Sequence, residues 1–450
     1  MSSHPIVATD SGPLTTNHWN EWRTSSVEAH LILQYHSGQA RSLLPAPRGW
    51  AGRVEANHGS WWRGLALPSL HSKGQSVSKT YPAHDNAPLT PSQLVFHENV
   101  VATKQMPADM VRRLAQRRIY VSSADAKVDL SAHLKRVAGA DGVWGLDLPA
   151  KSVVGRPGRT AELTDPKSMP KNLLGKKNLN AFRPPWADHV FHPKLSGLPD
   201  APPNRLRTTK GRMIRPHYGV FGSDDRKSYY PSGYPWQCIG RVFTWRDTNP
   251  PNSWSFYGSG VLVGPRHVLT AAHIAPWGSP NWGMLFVPGY YDGGSVVGSG
   301  ANSWVSDFRS LAPGVDAFGP HDMSLLRLYD PLGDELGYFG ARLYDRSWQD
   351  GNFWTLVGYP SAVTSERPSF QAGIPVLADD VEGDAMALEH QGDSTYGNSG
   401  GPFFGVWPDG FPYVIGTDSG GEPNEFGGNN ICAGGQALLN LISYWRTNWP

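Results

Sequence analysis

The chain has little cysteine. Two residues in 450, Cys238 and Cys432, exclude a disulfide-dense scaffold and a Cys-rich zinc site. A single bridge between them stays open, because sequence does not give the separation of their Cα atoms. Charge is sparse too, at 17% of residues. Bundles and coiled coils need an excess of Ala, Leu, Glu and Lys that this composition does not supply. No window approaches the ~18 consecutive apolar residues of a membrane helix, so no membrane partner is expected. The first residues, Met1 to Leu14, lack the apolar stretch of an export signal. Either the protein stays inside, or it leaves by another route, or its true start lies upstream.

Glycine, proline and tryptophan are abundant, with 51 Gly, 39 Pro and 18 Trp. With 39% hydrophobic residues the chain is too apolar for wholesale disorder. This mixture fits β-rich, turn-rich structure. At about 150 residues per domain, the length allows roughly three domain-sized units.

The formal charge of +2 hides a division. Residues 1–218 hold 29 Lys and Arg against 15 Asp and Glu, while residues 219–450 hold 11 against 23. Halves of opposite sign attract. The basic half, 1–218, reads as an irregular assembly. Residues 1–95 show weak periodicity. Pro107 to Tyr120 predicts a helix with Met110, Val111 and Leu114 on one face and Arg112, Arg113, Arg117 and Arg118 opposite. Asp129 to Gly139 predicts a second short helix, and 149–217, rich in Pro and basic residues, reads as a linker. The arginines suit a solvated face, a dock on the acidic half or an anionic surface. No recognition module directs them to nucleic acid, so that partner is not expected.

The acidic half, 219–450, differs. Short apolar runs (Gly260–Val263, Val268–Thr270, Ser324–Leu328, Phe353–Val357, Tyr413–Ile415) alternate with Gly, Pro, Asn and Asp turns, the pattern of an all-β sandwich or barrel. Gly435 to Trp445 predicts a C-terminal helix.

Three segments in this half carry chemistry: Val268-Leu-Thr-Ala-Ala-His273, His321-Asp322 before Met-Ser-Leu-Leu, and Gly397-Asn-Ser399-Gly-Gly401-Pro402. They supply a His, an Asp and a Ser in that order. A serine hydroxyl is a weak nucleophile at neutral pH and needs an imidazole to take its proton. A carboxylate must fix that imidazole's tautomer, and backbone N–H groups must meet the oxyanion. Gly397 and Ser399 are the natural N–H donors. The Gly-x-Ser-x-Gly spacing also fits the nucleophile elbow of α/β-hydrolases, which needs a His after the Ser. The last His is His390, so that reading fails.

Thr270-Ala-Ala-His273 together with Gly397-Asn-Ser-Gly-Gly-Pro402 resembles the chymotrypsin clan of serine endopeptidases. Val220-Phe-Gly-Ser-Asp-Asp-Arg226, Tyr234-Pro235, Val357-Gly-Tyr-Pro360 and Gly420-Gly-Glu-Pro-Asn-Glu-Phe426 resemble its bacterial glutamyl endopeptidase branch. The likeness covers about 219–450. It implies two six-stranded Greek-key β-barrels and a C-terminal helix, with His273 as general base, Asp322 orienting it and Ser399 as nucleophile. It implies that Ser419, Gly420 and Gly421 run beside the bound peptide, and that no metal or cofactor is needed. It further implies a secreted, monomeric enzyme acting on polypeptides. Residues 1–218 would be its own prosegment, ahead of a protease domain at 219–450.

The chain departs from the branch in its pocket residues. Asp418 stands where glutamyl enzymes carry a His, and Asp393 lies six residues before Ser399, where trypsin-like relatives carry a pocket-floor Asp. A carboxylate ~4 Å from a Glu side chain repels it by roughly 4 kcal/mol at an effective dielectric near 20. The expectation is therefore cleavage after Lys or Arg, with self-processing after Lys210 or Arg212. The alternatives are a glutamyl-specific enzyme, or a non-catalytic binding protein on a protease scaffold. Asn398 stands where animal trypsins carry the Asp that pairs with the freed amino terminus, and Asn cannot carry that charge.

Overall fold

A computed structural model describes residues 30–34, 86–95, 97, 104–115, 134–136, 143–147, 160–163, 169, 171–196, 219–247, 254–311, 319–363, 366–421 and 428–449. The expected cut sites Lys210 and Arg212 and most of residues 1–86 lie outside them. The chain divides into two units. The smaller spans 30–86 and 129–147 and holds an antiparallel sheet of His30–Gln34, Val143–Asp147 and Leu134–Arg136. A strand thus occupies the middle of the expected Asp129–Gly139 helix. Leu134 pairs with Leu146, a partner that local spacing does not reveal.

The described parts of the larger unit lie within 87–128 and 148–450. Its first sheet runs in the order Gly283–Pro288, Ile239–Trp245, Phe256–Gly264, His267–Thr270, Ser324–Leu328, Ser303–Ser310. Ser303–Ser310 pairs back onto Gly283–Pro288 through Leu285 with Trp304, closing a six-stranded barrel. Beyond that short closing pair, Thr160–Leu163 covers Asp307–Ser310 in parallel, so this stretch keeps no open edge. Phe256–Gly264 is buried along nearly its whole length rather than alternating, since both of its faces are covered.

The second sheet has eleven strands. Its path is Ala378–Glu382, Ala385–His390, Asn430–Gly435, Pro412–Gly421, Pro402–Val406, Trp354–Gly358, Ser369–Ile374, Lys227–Tyr230, Lys194–Leu195. Gly340–Arg342 joins Pro412–Gly421 and carries Asn178–Leu179 on its other side. One continuous core combines Val261, Leu262, Leu325 and Leu326 of the first barrel with Val357, Phe404 and Val414 of the second sheet. The C-terminal helix Gln436–Asn448 buries Leu438, Leu441 and Ile442 against it.

Upstream residues belong to this packing. The expected helix forms over Ala108–Ala115, and its Leu114 sits in the main core with Leu179 and Ala187. The expected linker at 149–217 instead contributes strands Thr160–Leu163, Asn178–Leu179 and Lys194–Leu195. Cys238 and Cys432 are both free and buried. Among the described residues, no helix is long and apolar enough to cross a membrane.

Candidate active site

Two neighbouring strands deliver the His and the Asp. His267–Thr270 and Ser324–Leu328 run antiparallel with Thr270 opposite Ser324. The chain leaving Thr270 and the chain arriving at Ser324 therefore share one end of the barrel. His273 follows in a single turn of 3₁₀-helix, Ala272–Ile274. Asp322 lies two residues before the partner strand.

The carboxylate of Asp322 is enclosed and engaged on both oxygens. Oδ1 accepts the His273 backbone N–H at 2.9 Å. Oδ2 faces His273 Nδ1 at 2.7 Å and accepts the Ser419 hydroxyl at 2.6 Å. Ser419 Oγ in turn accepts the Gly319 N–H at 3.1 Å. A carboxylate at Nδ1 keeps the proton there and leaves the lone pair on Nε2. His273 thus has the tautomer a general base requires. Ser419 was singled out by sequence as a peptide-binding residue. Its hydroxyl orients Asp322, and sequence gave no signal of that contact.

Ser399 is nearly buried and lies on a turn wedged between the two sheets. Its carbonyl accepts the Ser259 N–H at 2.7 Å. On the other side, Gly400 N–H donates to the Asp418 carbonyl and Asp418 N–H to the Gly401 carbonyl, both at 2.8 Å. Space is scarce here. A Cβ on Gly258 would meet the Ser399 carbonyl oxygen at 2.7 Å. Gly397 has φ +102°, a conformation that L side chains rarely adopt, and a Cβ there would strike the Tyr359 carbonyl.

The peptide between Tyr396 and Gly397 is held in one orientation. The Tyr396 carbonyl accepts both the N–H of Ser361, at 2.9 Å, and its hydroxyl, at 3.2 Å. In a planar trans peptide the Gly397 N–H then points the opposite way. The Gly397 carbonyl accepts the Ser259 hydroxyl at 2.8 Å, and Ser259 Oγ accepts the Tyr359 N–H at 2.9 Å. Ser259 and Ser361 escaped the sequence reading, since an isolated serine carries no pattern. The nearest hint is the small-residue run Gly258-Ser-Gly260.

Asp393, expected at the floor of the pocket, is buried and tied to the chain's own backbone. Its carboxylate is 1% exposed. Oδ1 accepts the Phe221 N–H at 2.9 Å and Oδ2 the Asp225 N–H at 2.8 Å. Burial raises its pKa, while those two N–H groups and Arg226 pull the other way. Its partner segment also carries Arg226, whose side chain is 1% exposed. Arg226 Nη1 donates to Thr395 Oγ1 at 2.7 Å and to Asn398 Oδ1 at 3.1 Å. Its other edge grips Asp224 in a fork, at 2.9 and 2.6 Å. Burial works to raise the Asp224 carboxyl, but Arg226 outweighs it and holds the group below its usual value.

Asp418 is likewise enclosed. Oδ2 accepts the Ser394 hydroxyl at 2.8 Å, and Oδ1 is buried without a hydrogen bond. Desolvation pushes the carboxyl up to about 7, against the pull of the Ser394 hydroxyl and His273. Its side chain lies with His390 and Cys432, their ligand-type atoms within 4.8 Å of one another. His390 Nδ1 accepts the Gly392 N–H at 3.1 Å, so the ring proton is on Nε2, which points at Cys432 Sγ 3.2 Å away. An imidazole arranged in this way donates to the thiol and has no lone pair left for a metal. Gly420 and Gly421 end the strand that begins at Pro412.

Comparison with known proteins places this site in context. Residues 258–406 match the family model described as "Trypsin-like peptidase domain". A glutamyl endopeptidase of Bacillus licheniformis is 27% identical over 196 residues, covering 41% of this chain and 54% of that protein. The chain therefore spans about half the length of this relative. Among solved structures, a Glu endopeptidase in complex with MPD has a TM-score of 0.40 at 19% identity, covering 51% of this chain and 100% of that one. The protease Anisep from Arthrobacter nicotinovorans has a TM-score of 0.36 at 18% identity, covering 48% and 99%.

Proposed function

Residues 258–406 are a trypsin-like peptidase domain of the chymotrypsin clan, related to glutamyl endopeptidases, and on that footing we propose that the protein is a serine endopeptidase. His273 Nε2 takes the proton of Ser399 Oγ as the oxygen attacks the scissile carbonyl. Asp322 holds the ring and stabilises the imidazolium. The N–H groups of Gly397 and Ser399 receive the oxyanion. His273 then protonates the leaving amine, and water resolves the acyl-enzyme by the same steps in reverse order. The peptide runs beside Ser419, Gly420 and Gly421. The observation that carries this reading is the His273–Asp322 pair at 2.7 Å, with the carboxylate locked by Ser419.

The preference for Lys or Arg rests on an accessible Asp393. Both of its oxygens already accept backbone N–H groups, which favours a bracing use of this carboxylate over a ligand-binding one. We place the preference after Glu, supported by the relative named a glutamyl endopeptidase. A peptide-library profile tests this, and a dominant Lys or Arg at the cleaved position would restore the first expectation. The precursor reading is part of the proposal: a prosegment within 1–218, cut before the protease domain at 219–450, in a secreted enzyme. The opposite charges of the two halves support it.

Ser399→Ala is expected to cut turnover about a million-fold. An organophosphonate probe should label Ser399 in the natural chain. A natural chain left unlabelled while folded would favour a binding protein on a protease scaffold.

A further inference from the structure

A prosegment is ordinarily pictured as leaving once it is cut. The packing upstream of residue 219 points elsewhere. Thr160–Leu163 extends the first barrel, parallel to Ser303–Ser310. Asn178–Leu179 pairs with Gly340–Arg342, and Lys194–Leu195 with Lys227–Tyr230. Phe182 and Tyr338 exchange both N–H···O bonds at 2.9 Å. The Val190 N–H donates to the Tyr234 carbonyl at 2.7 Å, and the Val190 carbonyl accepts the Trp236 indole N–H, also at 2.7 Å. Further upstream, the Leu89 N–H donates to the Val406 carbonyl at 2.7 Å. The C-terminal helix reaches back as well. Gln436 donates to the Lys176 carbonyl at 3.0 Å, Arg446 to the Asn180 carbonyl at 3.1 Å, and Asn440 accepts the Gly175 N–H at 3.1 Å.

These contacts are mostly main-chain and apolar. Leu114 is fully buried in the core shared by the first barrel and the second sheet, and Leu179 is nearly so. Arg113 pairs with Glu335 at 3.3 Å, but that arginine is half exposed, and such pairs contribute little in water. Loss of the upstream piece would open sheet edges at three places and strip the Trp236 indole, itself 4% exposed, of its acceptor.

We propose that a cut between residues 196 and 219 does not release the upstream piece. That piece stays attached through its described residues 87–95, 104–115, 160–163 and 171–196, as a second, non-covalent chain of the working enzyme. This inference rests on the precursor reading for its biological setting, but not for its test. The attachment resists salt, because screening weakens ion pairs and leaves buried apolar and main-chain contacts in place.

The test uses the full chain with Ser399→Ala, which cannot process itself. A recognition sequence for an unrelated, site-specific protease is inserted between residues 200 and 215 and cut. Size-exclusion chromatography with mass spectrometry then reads the product at about 0.1 M and 1 M NaCl. The expected result is one peak of uncut size holding both pieces at both salts, with separation only in denaturant. Pieces that elute apart in native buffer at either salt overturn the proposal. In the cut chain, Leu114→Asp with Leu179→Asp should release the upstream piece at micromolar concentration, and no release would also overturn it. The readout is mass in an inert variant, so it does not depend on peptidase activity. Failure of the precursor reading shows separately, as natural material that still begins near Met1.

Discussion

Ser259 occupies a position whose influence exceeds its size. One hydroxyl accepts the Tyr359 N–H and donates to the Gly397 carbonyl, so it ties the turn carrying Ser399 to the segment after Trp354–Gly358. Ser259→Ala leaves a buried N–H and a buried carbonyl without this partner. That costs about 1–3 kcal/mol of stability. The larger effect falls on the orientation of the neighbouring N–H groups. Steady-state kinetics should show kcat lowered about 10- to 100-fold with KM little changed, as for the loss of an interaction made in the transition state. Asp418 gives a pH-dependent prediction. Its native pKa is raised to about 7 by burial, above the ordinary carboxylate value of 3.8. The native state therefore holds its proton more tightly than the unfolded chain. Stability contributed by this group falls as pH rises from about 4 to 7 and stays low above that. Asp418→Asn has no carboxyl to ionise. Urea midpoints should show the variant gaining on the natural chain between pH 5 and pH 8, by roughly 2–4 kcal/mol.

At the scale of elements, the segment 219–226 acts as a brace on the turn that precedes Ser399. Asp393 receives its backbone, and Arg226 reaches Thr395 and Asn398. The brace is complete in a continuous chain, so it needs no newly freed amino group. Arg226→Lys keeps the charge but loses the planar fork that grips Asp224 and the turn together. Its expected effect is a fall of about tenfold or more in both kcat and the rate of phosphonate labelling of Ser399. Equal labelling of the variant and the natural chain would remove the brace from the mechanism. This element also marks the limit of sequence reading. Thr270-Ala-Ala-His273 and His321-Asp322 are local motifs at the ends of recognisable strands, so their meeting was legible. Asp393 was legible as a residue but not in its use. Its offset from Ser399 does not reveal whether a ligand or the chain's own backbone N–H groups take up the carboxylate.

At the scale of the molecule, the division by charge is not a division of packing among the described residues. The stretch 149–217 reads as a linker because Asn178–Leu179 and Lys194–Leu195 are two residues long. Strands that short show no periodicity, and their partners lie far along the chain. The β-rich class of the second half was legible because its strands are longer and bounded by turn residues. A chain beginning at residue 219 would expose Trp236, Tyr234 and the bare edges of Lys227–Tyr230 and Gly340–Arg342. It is expected to aggregate when made alone and to become soluble when residues 1–218 are supplied in trans. Soluble yield with and without that second piece is the measurement.

The grip of the last helix on residues 175, 176 and 180 has a consequence for biosynthesis. A ribosome makes the early residues long before Gln436, Asn440 and Arg446 exist to hold them. The segment at 175–180 must wait, without these neighbours, until about 260 further residues have been made. Synthesis of the helix Gln436–Asn448 is thus the event that supplies these partners, and a polypeptide stopped before it leaves the segment at 175–180 without them.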